Sequence, residues 1–218
     1  MRYPMAGHLS KGGHKVTVYN RIATKAAKWV KKFGGKTART SRDAAKGKEI
    51  VFVCVGNDDD LCSVVFGDKG ALAGMSRGPI LADNTSASAN VARELHGSAR
   101  KAGVGFIDAP ISGGQAGAEN GVLAVMCGGS KTLFNKVEPV IDGYARQVTL
   151  IGGPGSGQLT KMVNQICITG LVQGLSEGVN FGMKAGLNIL KLDRHDFQRC
   201  GWIVANGKPS GDHDLTYV

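Results

Sequence analysis

Two stretches of this 218-residue chain combine residue types and spacings that can do chemistry. Asp108-Ala-Pro-Ile-Ser-Gly-Gly-Gln-Ala-Gly-Ala-Glu-Asn-Gly121 is dense in glycine, and as a loop it can turn backbone N–H groups toward an anion. Gly155-Ser-Gly-Gln-Leu-Thr-Lys-Met-Val-Asn-Gln165 reads as a glycine turn opening a helix, with Lys161 and Asn164 three residues apart on one face. An anion cradle and a positioned lysine are the parts of a site that handles a small carboxylate. A single helical lysine is ordinarily a solvated charge, so the reading rests on the two stretches occurring together. His8, His14, His96, His195 and His213 show no metal-ligand spacing with cysteines or carboxylates, and no Ser-His-Asp set is legible, so no metal is expected.

The elements that must position these residues alternate along the chain. Strands are expected at Lys15–Tyr19, Glu49–Val55, Pro79–Asp83, Val104–Asp108, Val122–Met126 and Gln147–Ile151, where β-branched residues cluster. Amphipathic stretches separate them, over about Thr24–Phe33, from Asp58, over Ser88–Ala102 and over Lys131–Ile141. Strand and helix in turn predict an α/β fold with a doubly wound, Rossmann-type parallel sheet. Gly152-Gly-Pro-Gly155 then marks a boundary, and Ser156–Ala185 reads as one long helix whose apolar positions fill more than one stripe. That helix is expected to begin an incomplete all-α C-terminal domain. The expected organisation is thus residues 1–153, residues 154–187, and a tail over 188–218 without sustained periodicity.

Composition narrows the class. With 42% hydrophobic and 20% charged residues the chain is ordinarily globular, and no apolar run reaches the roughly 20 residues of a membrane span. Cys54, Cys62, Cys127, Cys167 and Cys200 have no CxxC spacing, which favours free thiols, a reducing compartment and, with no signal-peptide pattern, the cytoplasm. Residues 21–48 hold ten Lys or Arg and one Asp, nearly the whole of the net charge of +10. Lys25, Lys28, Lys31 and Lys32 fall opposite Ala26, Trp29, Val30 and Phe33, so this block reads as a solvated helix face. Without aromatic interleaving it does not point to nucleic acid.

From about Met1 to Leu187 the chain resembles the β-hydroxyacid dehydrogenases, through both glycine-containing stretches and through Met1-Arg-Tyr-Pro-Met-Ala-Gly-His-Leu9, which is similar to the family's Met-Gly followed by Pro-Met-Ala-x-x-Leu. The resemblance implies hydride transfer between a nicotinamide cofactor and a small, 3-hydroxyisobutyrate-like β-hydroxyacid. It implies Lys161 as acid/base, with a pKa lowered by burial and by the cationic nicotinamide. Asn164 would hold the substrate oxygen, and Ser112, Gly113 and Gly114 would clamp the carboxylate. It also places Val55, Gly56 and Asn57 beside the cofactor and Thr85 near the nicotinamide ribose. A carboxylate after the second strand would bind a ribose 2′-OH, whereas Asn20 and Arg21 at that place suit a 2′-phosphate, so NADP is expected over NAD. A homo-oligomer is expected of the intact protein, with no nucleic acid or membrane partner.

Against the family pattern, the first strand and two fingerprint glycines are expected to be missing, and Arg2 stands at the position of the third. The tail departs too. One allowed codon choice for His195–Pro209, read one base later, encodes Met-Ile-Ser-Lys-Gly-Ala-Ala-Gly-Ser-Trp-Gln-Met-Glu-Asn-Arg, which matches a family segment that carries a second lysine. A change of reading frame between Leu190 and His195 is therefore expected. The competing function is a non-catalytic remnant of the dinucleotide fold.

Overall fold

The computed structural model of the protein describes Met1–Ile189, in two compact units, Met1–Met162 and the residues from Val163 on. The tail expected to be aberrant lies outside the described residues from Leu190 on, together with the proposed change of frame and Cys200.

In the first unit the chain runs through α1 (Arg2–Lys11), β1 (Thr17–Val18), α2 (Ala23–Phe33), β2 (Lys36–Thr37), α3 (Ser41–Ala45) and β3 (Ile50–Val53). It continues through α4 (Asp58–Val65), α5 (Ala71–Gly74), β4 (Ile80–Asp83), α6 (Ala89–Lys101), β5 (Gly105–Asp108) and β6 (Ile111–Ser112). Then come α7 (Gly114–Asn120), β7 (Leu123–Gly128), α8 (Lys131–Ile141), β8 (Ala145–Gly152) and α9 (Ser156–Lys184). Helix starts follow local chemistry: the side chains of Asn57, Ser88 and Ser130 accept the backbone N–H of Asp60, Val91 and Leu133 and so cap α4, α6 and α8.

Strands β3, β4 and β5 pair in parallel, and alternation along them splits the core between two faces. Ile80, Ala82 and Ile107 pack with Met5 and Leu9 of α1 and with Phe134, Val137 and Ile141 of α8. Leu81 and Phe106 pack on the other side with Leu61 and Val65 of α4 and Val91, Leu95 and Ala99 of α6. Helices on both faces of a parallel core are the doubly wound arrangement. On α2, Ala26 and Trp29 are buried while Lys25, Lys28, Lys31 and Lys32 are exposed, so the basic block is a solvated helix face.

The sheet departs from a single parallel set in two places. Strand β7 meets β5 antiparallel, through Asp108 and Gly128, and resumes parallel pairing with β8. The β5 to β7 connection spends its residues on two-residue β6 and seven-residue α7, too little helix for the crossover a parallel return needs. Strands β1 and β2 form a separate parallel pair. Val16, Val18, Ile50 and Phe52 line a cleft of about 1200 Å3 shared by β1 and β3. The doubly wound order has a strand between the strands in those two places, which is why the pair stands apart.

Helix α9 carries the chain into the second unit. Beyond Met162 its Val163, Ile166, Val172 and Phe181 are all exposed. Among the described residues no helix is long and apolar enough to cross a membrane.

Candidate active site

Six polar side chains of the described residues are buried: Asp83, Asn84, Thr85, Asp108, Gln158 and Lys161. They gather at the carboxyl ends of β4 and β5 and in the first turns of α9. Burial of unpaired polar groups is costly, so their partners show what they do. Asp108, at the end of β5, accepts the backbone N–H of Gly155 at 2.8 Å and of Gln158 at 3.0 Å, and so caps α9 from a distant strand. The Gln158 amide donates to the Thr85 carbonyl at 2.7 Å and accepts the Ala87 N–H at 3.0 Å. Thr85 in turn takes the Val55 N–H on its hydroxyl at 3.1 Å and gives its own N–H to Asp83 at 2.9 Å. Asn84 donates to the Ala109 carbonyl and accepts the hydroxyl of fully buried Tyr144.

The glycines that open α9 have separate reasons. Gly155 adopts φ +88°, where side chains are strained. A Cβ on Gly157 would lie 2.3 Å from the Met126 carbonyl oxygen and 2.8 Å from the Asp108 carboxylate, so only glycine lets α9 approach the sheet this closely.

Lys161 is 7% exposed, and burial lowers its pKa from the ordinary lysine value. A lysine in that state gives up its proton more readily than a surface one. Asp83 is pushed up to about 7, chiefly by burial and against the hydrogen bonds of Thr85. Its Oδ2 is buried without a hydrogen-bond partner, as suits a protonated carboxyl. Burial raises Asp108 as well, opposed by its bonds to Gly155 and Gln158.

The residues singled out from the sequence separate into groups. Asn20, Arg21 and Val55 line the cleft beside β1 and β3, whereas Gly56, Asn57 and Thr85 are not in its lining. Asn20 turns its side-chain oxygen to the Ile22 N–H, and Arg21 pairs with Asp60 at 3.2 Å. Asn57 is the cap of α4. Thr85 is buried, tied to Val55 on one side and to Gln158 on the other. Ser112 is half-buried in β6, Gly113 and Gly114 are exposed with φ +127° and +64°, and none of the three lines the cleft. The expected glycine loop is a correction in part: from Gly114 to Asn120 it is α7, whose amides are largely spent on helical bonds, so the open amides are confined to its start. Asn164 follows Lys161 on α9 and belongs to the second unit.

Gln158, Asp83 and Asn84 were not among the residues expected at a site. Gln158 stands inside the glycine and lysine stretch, and a polar side chain one turn before Lys161 was its only signal.

Parallel strands, helices on both faces and a polar cluster at the strands' carboxyl ends are the arrangement that dinucleotide-binding proteins share. Residues 1–152 match the NAD binding domain of 6-phosphogluconate dehydrogenase. An uncharacterized oxidoreductase of Shewanella frigidimarina is 58% identical over 192 residues, covering 88% of this chain and 66% of that protein. The 3-hydroxyisobutyrate dehydrogenase of Pseudomonas aeruginosa is 31% identical over 185 residues, 85% of this chain and 62% of its own length. The structure of Mycobacterium tuberculosis 3-hydroxyisobutyrate dehydrogenase with L-serine superposes with a TM-score of 0.80 at 25% identity, over 96% of this chain and 68% of that one. The chain belongs to the β-hydroxyacid dehydrogenase family of NAD-binding oxidoreductases. It spans less than two thirds of the length of the curated relatives it matches.

Proposed function

We propose that this chain carries the cofactor domain and the catalytic lysine of an oxidoreductase acting on a small, 3-hydroxyisobutyrate-like β-hydroxyacid. Residues 1–153 form the cofactor domain in this reading, and 154–187 open the helical one. The observation that supports it most is Lys161: a buried lysine with a lowered pKa, on a helix whose first turn is bonded to the carboxyl ends of two strands.

A nicotinamide dinucleotide fits the residues present. Asn20 and Arg21 follow β1 and Val55 follows β3, at the carboxyl ends of parallel strands where a doubly wound sheet meets its dinucleotide. Bound there, the nicotinamide supplies the hydride acceptor or donor. The chain's own groups do the rest. The Lys161 amine takes the proton of the substrate hydroxyl during oxidation and returns it in the reverse direction. Asn164 holds the substrate oxygen, while the Ser112 hydroxyl and the amides of Gly113 and Gly114 hold the carboxylate, fixing orientation. Arg21 favours NADP, because a guanidinium neutralises a 2′-phosphate, although Asp60 competes for it. NAD remains the second cofactor of this reading.

The free thiols of Cys54, Cys62, Cys127 and Cys167 support a reducing compartment, the cytoplasm. The apolar residues exposed on α9 support a homo-oligomer of the intact protein. Nothing in the matches favours a non-catalytic remnant.

Lys161→Ala tests the reading. Turnover of a β-hydroxyacid should fall by two to four orders of magnitude, roughly the contribution of a positioned acid/base, with cofactor affinity retained. Unchanged turnover would remove the role.

A further inference from the structure

We infer that Gln158 is a positioning residue for Lys161, setting where that amine stands relative to the Val55 and Thr85 edge of the cofactor domain. The inference rests on the reading of Lys161 given above and names a residue that acts through it.

Gln158 is 0% exposed and lies three residues, nearly one helical turn, before Lys161. All three of its described bonds leave the helix. Its backbone N–H goes to the Asp108 carboxylate at the end of β5. Its side-chain N–H and oxygen go to the Thr85 carbonyl and the Ala87 N–H, just beyond β4. Two backbone groups so matched fix both the height and the rotation of the first turn of α9 against the sheet. A hydrophobic side chain would leave the Thr85 carbonyl and the Ala87 N–H unpaired in a buried place. Neither Leu159 nor Thr160 makes such a tie: Leu159 is exposed, and the Thr160 hydroxyl donates back to the Ser156 carbonyl within the helix.

The same chain of bonds continues through the Thr85 hydroxyl to the Val55 N–H, at the residue that lines the cleft beside β3. Gln158 therefore joins, through one residue, the helix of the proposed acid/base to the strand end proposed to meet the cofactor. A proton acceptor displaced by about 1 Å from its working position loses on the order of 100-fold in rate, so such a tie has a kinetic consequence. Charged groups at this end of the sheet include Asp83 on β4, Asp108 on β5, Asp58 at the start of α4 and Arg93 on α6, with Asp83 bonded to Thr85, Asp108 to Gly155 and Gln158, and Asp58 to the Ser88 N–H.

The test uses the full chain and its Gln158→Leu and Gln158→Glu variants. The pH midpoint for acetylation of Lys161 by acetic anhydride is read by mass spectrometry, with exposed Lys28 as internal reference. In the unmodified chain the Lys161 midpoint should lie below that of Lys28. In Gln158→Leu it should move back toward Lys28 by about one unit as the turn loosens and the amine meets water, while thermal unfolding stays cooperative. Where Gln158→Leu does not fold, Gln158→Glu is read instead by kcat and cofactor KM alone, since its carboxylate, three residues from Lys161, raises the labelling midpoint by charge whatever the position of the amine. An unmoved midpoint in folded Gln158→Leu overturns the inference. With NADP and 3-hydroxyisobutyrate as probes, the variant should also lose at least about 10-fold in kcat while KM for the cofactor stays within about threefold. A loss confined to thermal stability, with kcat unchanged, overturns it equally. If the unmodified chain turns over no hydroxyacid, the reaction reading fails by itself, and the labelling midpoint still decides the role of Gln158.

Discussion

Thr85 and Gln158 are joined by a 2.7 Å hydrogen bond across 73 residues of sequence. That bond, with the Asp108 cap on the same turn, sets α9 on the carboxyl ends of β4 and β5 and brings Lys161 to the level of the parallel strands' ends.

Gly157→Ala should destabilise the first unit by about 1–3 kcal/mol, the usual cost of overpacking, because the new methyl would meet the Met126 carbonyl at 2.3 Å. For a chain of this size that is a fall of roughly 2–4 °C per kcal/mol in Tm. Differential scanning calorimetry reads it. An unchanged Tm would mean that α9 can back away from the sheet at no cost.

Asp83→Asn should change the pH dependence of stability. The folded-state pKa of Asp83 is about 7 against 3.8 unfolded, so the folded chain holds the extra proton between those values. Stability from this group is complete below about pH 4 and is lost as pH rises to about 7. The asparagine variant should lack that slope and be relatively more stable at pH 8 than at pH 4. Urea unfolding at the two pH values measures the difference, and parallel pH profiles for both proteins would contradict it.

Arg21→Ala should weaken NADP roughly 10-fold or more, the worth of a charge-assisted bond to phosphate, and leave NAD nearly unchanged. Asp60→Ala frees the guanidinium from its 3.2 Å partner and should strengthen NADP by less than about fivefold, since an exposed pair is worth little. Titrations of both dinucleotides into the unmodified chain and the two variants by calorimetry read the six affinities. Equal losses for NAD and NADP in Arg21→Ala would dismiss the phosphate preference.

Self-association of the chain is expected from α9, where Ile166 is 71% and Phe181 72% exposed. Ile166→Glu with Phe181→Glu should shift the molecule toward monomer in size-exclusion chromatography with light scattering. A clean monomer before any substitution would show that this face is covered in solution.

The codons for His195–Pro209 offer an independent check on the tail. Sequencing the locus should show the lysine-containing family segment in the neighbouring frame, with the shift between Leu190 and His195. Codons that do not encode the segment would end the idea.

Much of the fold was legible because local rules carry it. The parallel strands β3, β4 and β5 coincide closely with the runs of β-branched residues, and α2, α6 and α8 with the amphipathic stretches, since side-chain period and capping act within a few residues. Short elements were not legible. Two-residue β2 and β6 carry no period, and α7 hides in a glycine-rich stretch that propensity assigns to a loop. The antiparallel turn of β7 was missed for a different reason: strand direction depends on what the intervening chain does in space.

At the site, sequence alone determined the residue types: a lysine on a helix behind two glycines, a guanidinium after an early strand, and a serine and glycines after Asp108. Spacing and composition suffice for that. Only the tertiary structure decided the pairings. Asp108 became the cap of α9, Gln158 the tie to Thr85 and Ala87, and Arg21 the partner of Asp60. The physical reason is that a buried polar group takes whichever partner the packed elements bring within about 3 Å. That partner lay 50 residues away for Asp108 and 73 for Gln158, beyond the reach of any local pattern.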